Sequence, residues 1–219
     1  KGDSHLIKTE IRVMRFSSKM IYVFFLATLI PVLASCGDSQ VPVVSRSLTR
    51  AKKLNDQLVE LIRKKNYRKA LPIAEKVLAL REKSLKPESP RVIESIDSLA
   101  AIYVATRRYK KAEELYVRRL AILKKTSDPE HLDVAATLYK MAPAYRRQGK
   151  FAKAAKFLKQ ARVIYEKNLG PDHMFIVQTI KRQANLYQSI GMWQQAAPFM
   201  KEARAMKARL AKQQTKKSG

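Results

Sequence analysis

An all-α fold built as a stack of about four helical hairpins is predicted by three observations. Residues of one kind recur at a step of 42: Ala70, Ala112, Ala154 and Ala196; the aromatics Tyr67, Tyr109, Phe151 and Trp193; Tyr103, Tyr145 and Tyr187; Ala100, Ala142 and Ala184; Pro87, Pro129 and Pro171. Within each unit the apolar residues follow helical spacing, with Ile96, Leu99, Ala100 and Tyr103 on one helix and Tyr109, Ala112, Tyr116 and Leu120 on the next. Between units lie KPESP (86–90), SDPEH (127–131) and GPDH (170–173), whose Pro and acidic residues are expected to stop one helix and cap the next. A single hairpin cannot bury its apolar face, so hairpins at a fixed period stack and share one continuous core.

The elements follow in order. Residues 1–13 precede Met14 and read as an upstream extension of a leader that is complete without them. Residues 14–35 have a basic start (Arg15, Lys19), an apolar stretch from Met20 to Leu33, and small residues before Cys36, which is the layout of a secretory signal. The apolar stretch contains Pro31 and is shorter than the roughly 20 residues that cross a bilayer. Leu33-Ala34-Ser35-Cys36 resembles the lipobox of bacterial lipoproteins, in which the cysteine receives a diacylglycerol and becomes the mature N-terminus. Cys36 is the chain's single cysteine; the competing reading is an inert thiol in an uncleaved apolar helix. Residues 36–47 read as a lipidated tether.

The repeat domain spans 48–211, with hairpins over about 48–85, 91–125, 133–168 and 175–211 and a basic tail over 212–219. Each hairpin needs a left-handed residue in its turn. Gly149 and Gly191 supply it in the last two, whereas Lys65 and Arg107 occupy the equivalent earlier places and predict strained turns. Trp193 shares the register of Tyr67, Tyr109 and Phe151 and is expected in the core; His131 and His173 repeat at the same step and are expected to be structural.

The alternation of Tyr103-type, Ala112-type and Tyr116-type positions resembles the tetratricopeptide repeat, and the 42-residue step with the linker Leu169-Gly170-Pro171-Asp172-His173 is similar to its kinesin-light-chain variety. The likeness is strong for the last three hairpins; in the first, Leu58 and Leu61 replace small and aromatic residues. The resemblance implies a right-handed superhelix whose concave groove, lined by the first helix of each hairpin, docks a peptide or protein. On the family register the groove face includes Glu94, Asp97 and Ala101; Ala136, Tyr139, Pro143 and Arg146; and Gln178, Lys181, Asn185 and Gln188. From these, Tyr139, Pro143, Arg146, Lys181, Asn185 and Gln188 are the candidate partner-binding residues. Lys181 and Asn185 resemble part of the clamp that holds a C-terminal carboxylate in some such domains. Pro143 lacks the N–H that would bond the carbonyl of Tyr139, so a kink and a polar docking point are expected there.

Composition sets the remaining bounds. There are 45 Lys+Arg against 18 Asp+Glu, a formal charge of +27, and removal of residues 1–35 still leaves 40 against 16. Anionic partners are expected: an acidic protein or peptide, and anionic lipid. No phosphate loop, nucleophile elbow or paired carboxylate motif occurs, so catalysis, a metal site and a cofactor have no candidate residues. The sequence therefore reads as a non-enzymatic adaptor, lipid-anchored at a bacterial envelope. With Gly37 after the cysteine, the expected site is the outer membrane facing the periplasm in a cell with two membranes. The alternatives are a basic nucleic-acid-binding protein, against which the leader argues, and a self-assembling homo-oligomer.

Overall fold

The structure, a computed structural model, describes residues 41–218. The leader, Cys36 and residues 37–40 of the tether lie outside the described residues. The chain divides between Arg46 and Ser47, and the repeats belong to the unit that starts at Ser47. Among the described residues there are eight helices and no strand: α1 (Val41–Arg63), α2 (Tyr67–Ser84), α3 (Pro90–Ala105), α4 (Tyr109–Thr126), α5 (Leu132–Arg147), α6 (Phe151–Leu169), α7 (Met174–Gln188) and α8 (Trp193–Ser218). Consecutive helices pair as antiparallel hairpins that stack into a right-handed superhelix. No helix among the described residues is long and apolar enough to cross a membrane.

Two ends differ from the sequence expectation. Helix α1 includes residues 41–47 of the expected tether, because Pro42 stands in the first turn, where its missing N–H has no intrahelical acceptor. Helix α8 continues through the expected tail, a run of Lys, Gln and Ala with no breaker between Phe199 and Ser218.

The four turns inside the hairpins share one hydrogen-bond signature at the 42-residue step. Asn66 N–H donates to Leu61 O (2.8 Å), Arg108 to Tyr103 O (2.7 Å), Lys150 to Tyr145 O (2.9 Å) and Met192 to Tyr187 O (2.9 Å). This closure requires a left-handed residue just before the donor. Lys65 (φ 55°), Arg107 (φ 61°), Gly149 (φ 75°) and Gly191 (φ 78°) provide it, so two side-chain-bearing residues accept a conformation that costs about 1–2 kcal/mol outside glycine.

Helix starts are capped differently from the expectation. His131 Nδ1 accepts from Asp133 N–H and His173 Nδ1 from Phe175 N–H, both at 3.2 Å, so the histidines and not the loop carboxylates cap α5 and α7. An imidazole two residues before the amide reaches it, as a shorter cap side chain would.

The core runs continuously between the helices. Ala70, Ala112 and Ala154 are fully buried and let helices approach closely; Val92, Ile96, Leu158, Ile176 and Ile180 fill the space between them. Ser95, Thr137 and Thr179, again 42 apart, are buried hydroxyls that donate to the carbonyl four residues back: Arg91 (3.0 Å), Asp133 (2.7 Å) and Phe175 (2.8 Å). Two arginines are buried against the first two of them. Arg81 on α2 donates to Ser95 Oγ (2.8 Å) and Arg91 O (2.7 Å) on α3. Arg119 on α4, 4% exposed, donates to Asp133 O (3.0 Å) and to Thr137 Oγ1 on α5.

Candidate functional site: a two-lobed cleft between α5 and α7

The first helices of the third and fourth hairpins, α5 and α7, run side by side on the concave face with α6 behind them. Between them lie two adjoining cavities. One, of about 350 Å³, is walled by Leu132, Asp133, Tyr139 and Lys140 of α5, Tyr165 of α6, and Phe175 and Gln178 of α7. The other, of about 260 Å³, has Pro143 and Arg146 of α5 and Arg182 and Asn185 of α7 at its mouth, over an apolar floor of Ala142, Ala154, Leu158 and Leu186. Arg182 separates the lobes: its guanidinium carbon lies 3.9 Å from the centroid of the Tyr139 ring, a cation–π stack across the cleft.

The lobes differ in chemistry. The first is aromatic. Tyr165 and Phe175 rings meet at 5.4 Å, and Phe175 is 48% exposed although it neighbours the core. The second is cationic. Arg146 and Arg182 have no carboxylate partner among the described residues, and burial, followed by the nearby charges of Arg147 and Arg182, lowers the pKa of Arg146 from the ordinary arginine range. The two guanidiniums repel each other over a buried apolar floor, so an anion entering there relieves repulsion and makes charge-assisted hydrogen bonds.

The expected groove residues divide accordingly. Tyr139, Pro143, Arg146 and Asn185 line the two lobes. Helix α5 runs unbroken through Pro143, whose ring forms part of the wall. Lys181 is exposed and lines neither lobe, and Gln188 lies one turn further on, with Nε2 3.1 Å from Met200 Sδ of α8. Arg182 was not among the candidates. On α7 the cleft wall is Gln178, Arg182 and Asn185, at i, i+4 and i+7, and a helix turns about 100° per residue, which carries Lys181 away from α5. The i, i+4, i+7 pattern was available in the sequence. Further along the groove Glu94 is taken by Arg81 (3.0 Å), and Asp97 by Lys140 (2.7 Å) and Arg119 Nε (2.7 Å). A third carboxylate, Asp133, lies at the edge of the aromatic lobe, 3.7 Å from the Arg119 guanidinium and half exposed.

Trp193 departs from its register. Tyr67, Tyr109 and Phe151 pack against the core, but Trp193 is 64% exposed. Each of those three is followed by a further hairpin, whereas among the described residues no hairpin follows α8 to cover Trp193.

Comparison with known proteins agrees with this architecture. The model of the family described as tetratricopeptide repeat matches residues 58–125 and 126–209. A solved structure of Podosopora anserina kinesin light chain nearly identical TPR-like repeats is similar at a TM-score of 0.66 and 25% identity, covering 88% of each chain. A second structure of those repeats has a TM-score of 0.63 and 26% identity, over 87% of this chain and 88% of the other. The apo form of RapI shares the fold at a TM-score of 0.64 and 17% identity, over 89% of this chain and 69% of its own. No curated protein sequence matches significantly. With the family's model covering both halves of the superhelix, the chain belongs to the tetratricopeptide repeat family.

Proposed function

We propose that this chain is a docking module that takes an acidic peptide or protein segment in the α5–α7 cleft, and that it works at a bacterial envelope, held by a lipid on Cys36. Tetratricopeptide repeats mediate protein–protein interactions and typically serve as non-enzymatic scaffolds. One observation carries the specificity: Arg146 and Arg182 present two guanidiniums without carboxylate partners among the described residues, over an apolar floor and beside an aromatic lobe. A carboxylate side chain or C-terminus satisfies both cations, while an adjoining apolar side chain fills the other lobe.

The docking reading is tested by selecting random peptides for binding to the chain. Enrichment of Asp and Glu that disappears with Arg146→Glu combined with Arg182→Glu is expected; selected peptides of unbiased charge would overturn it. The anchor is tested separately by detergent-phase partitioning of Cys36→Ser, where unchanged membrane association refutes lipidation. The signal-like layout of residues 14–35 motivates the envelope, and Gly37 after the cysteine motivates the outer membrane where there are two.

A further inference from the structure

The antiparallel hairpins place all four internal turns along one edge of the superhelix and the three inter-hairpin loops along the other. The edges differ in charge: the inter-hairpin edge mixes Glu88, Asp128, Glu130 and Asp172 with the exposed Lys83, Lys86, Lys124 and Lys125. The internal turns are basic: Lys65 in the first, Arg107, Arg108, Lys110 and Lys111 around the second, and Arg147 in the third are all exposed, with no ion-pair partner among the described residues. The second and third turns are in contact, since Gln148 and Lys150 both reach Glu113 (2.9 and 2.7 Å) and Gln148 joins Arg107–Lys111 around one shallow basin. The fourth turn changes character. It has no charge from Ser189 to Gln195 and instead exposes Ile190, Met192 and Trp193.

We infer that this edge is a membrane-contact face, in which the basic turns meet anionic lipid headgroups and the Ile190-Met192-Trp193 tip enters the interfacial layer. A flat anionic surface matches a row of cations spread over three successive turns. A tryptophan with flanking apolar residues matches the headgroup boundary, where its amphipathic ring is stabilised. Duplex nucleic acid accounts for the cations but gives the apolar tip no partner. The left-handed Lys65 and Arg107 fit the same purpose, because the chain accepts strain at two turns to keep a cation where glycine is conformationally preferred. The inference extends the envelope reading above and does not depend on a lipid on Cys36, which the experiment removes.

Trp193 is the chain's single tryptophan, so its fluorescence reports this tip alone. Full chain carrying Cys36→Ala is titrated with phosphatidylcholine vesicles with and without about 30% phosphatidylglycerol, a content chosen to give an anionic surface. The expected result is a blue shift of Trp193 emission, with quenching by brominated acyl chains, on anionic vesicles only. About 0.5 M NaCl, where the Debye length is a few ångströms, abolishes it. Reversal of Arg107, Arg108, Lys110 and Lys111 to Glu lowers partitioning by at least about a hundredfold, since four cations worth about fivefold each multiply to several hundredfold. Trp193→Gln, a change at an exposed site, weakens binding without altering the circular dichroism spectrum. Emission that stays unmoved while the vesicles carry the protein along would show that the leader alone binds and would overturn the inference. Tighter binding to a short DNA duplex than to the anionic vesicles, lost on the same charge reversal, would overturn it in favour of nucleic acid. Neither result bears on peptide selection by the α5–α7 cleft.

Discussion

Arg119 joins three helices, and replacing it measures what that joint contributes. Its side chain is 5% exposed; Nε stands 2.7 Å from Asp97 Oδ1 on α3, while the guanidinium donates to Asp133 O and Thr137 Oγ1 on α5. Removing one member of a buried ion pair costs about 3–5 kcal/mol, mostly from the charge left behind. Here Asp97 is 21% exposed and keeps Lys140 at 2.7 Å, which places Arg119→Met at the low end or just below it, about 2–3 kcal/mol. For a domain of this size that is a fall in Tm of about 5–10 °C. Met retains the apolar stem of the arginine, so the change reads the charge network and not a cavity. The double variant Asp97→Leu with Arg119→Met removes both charges and is expected to recover at least half of the loss, because Thr137 keeps its own bond to Asp133 O and Lys140 is exposed enough to be solvated. Urea unfolding followed by circular dichroism supplies both values. An Arg119→Met chain within about 0.5 kcal/mol of the parent, or a double variant no more stable than the single one, would refute the reasoning.

Other outcomes follow from the same geometry. Lys65→Gly and Arg107→Gly relieve left-handed strain and should each raise Tm by about 2–4 °C, whereas Gly149→Ala, whose added Cβ meets nothing within 4 Å, should lower it by a similar amount through backbone conformation alone. Arg182→Ala removes the stack on Tyr139 and one of two cations, so anisotropy with a selected acidic peptide should show at least about tenfold weaker binding, while Lys181→Ala leaves it unchanged. Tyr103, Tyr145 and Tyr165 are each pushed up to about 12, first by burial and then by neighbouring groups, among them Glu75 for Tyr103 and Glu113 for Tyr145; Tyr116 is raised further by burial and Asp97. Because the folded phenols ionise above the unfolded value near 10, their stabilisation is complete below pH 10 and is lost as pH rises towards 12. Ultraviolet titration of the parent against chains with each of these four tyrosines changed to Phe should therefore show their phenolates appearing together with unfolding; a Phe variant that loses a phenolate formed near pH 10 in the folded chain would contradict it.

Much of the fold was legible because a repeat array is quasi-one-dimensional, each hairpin touching only its neighbours. A 42-residue step in Ala, Tyr and Pro is therefore enough to set helix number, helix order and turn positions, and the strained Lys65 and Arg107 turns follow from glycine's absence there. The histidine caps are hidden in the sequence by the loop carboxylates beside them, which are the more usual cap residues. Buried Arg81 and Arg119 are hidden for a similar reason. They stand among many surface cations, and only the hydroxyls of Ser95 and Thr137 across the helix interface distinguish them.

The groove residues mark the division most sharply. The sequence determines that α7 presents a polar face with Lys181, Arg182 and Asn185 on it, but one residue is about 100° of rotation, and the packing of α7 against α5 and α6 decides that Arg182 and not Lys181 meets Tyr139. Trp193 shows the other limit. Its register gives the same side-chain direction as Tyr109 and Phe151, yet burial belongs to the neighbour that covers a residue, and among the described residues α8 has no such neighbour. Period, turns and helix ends are properties of local sequence; rotation and coverage depend on what packs beside each helix, and the tertiary structure decides them.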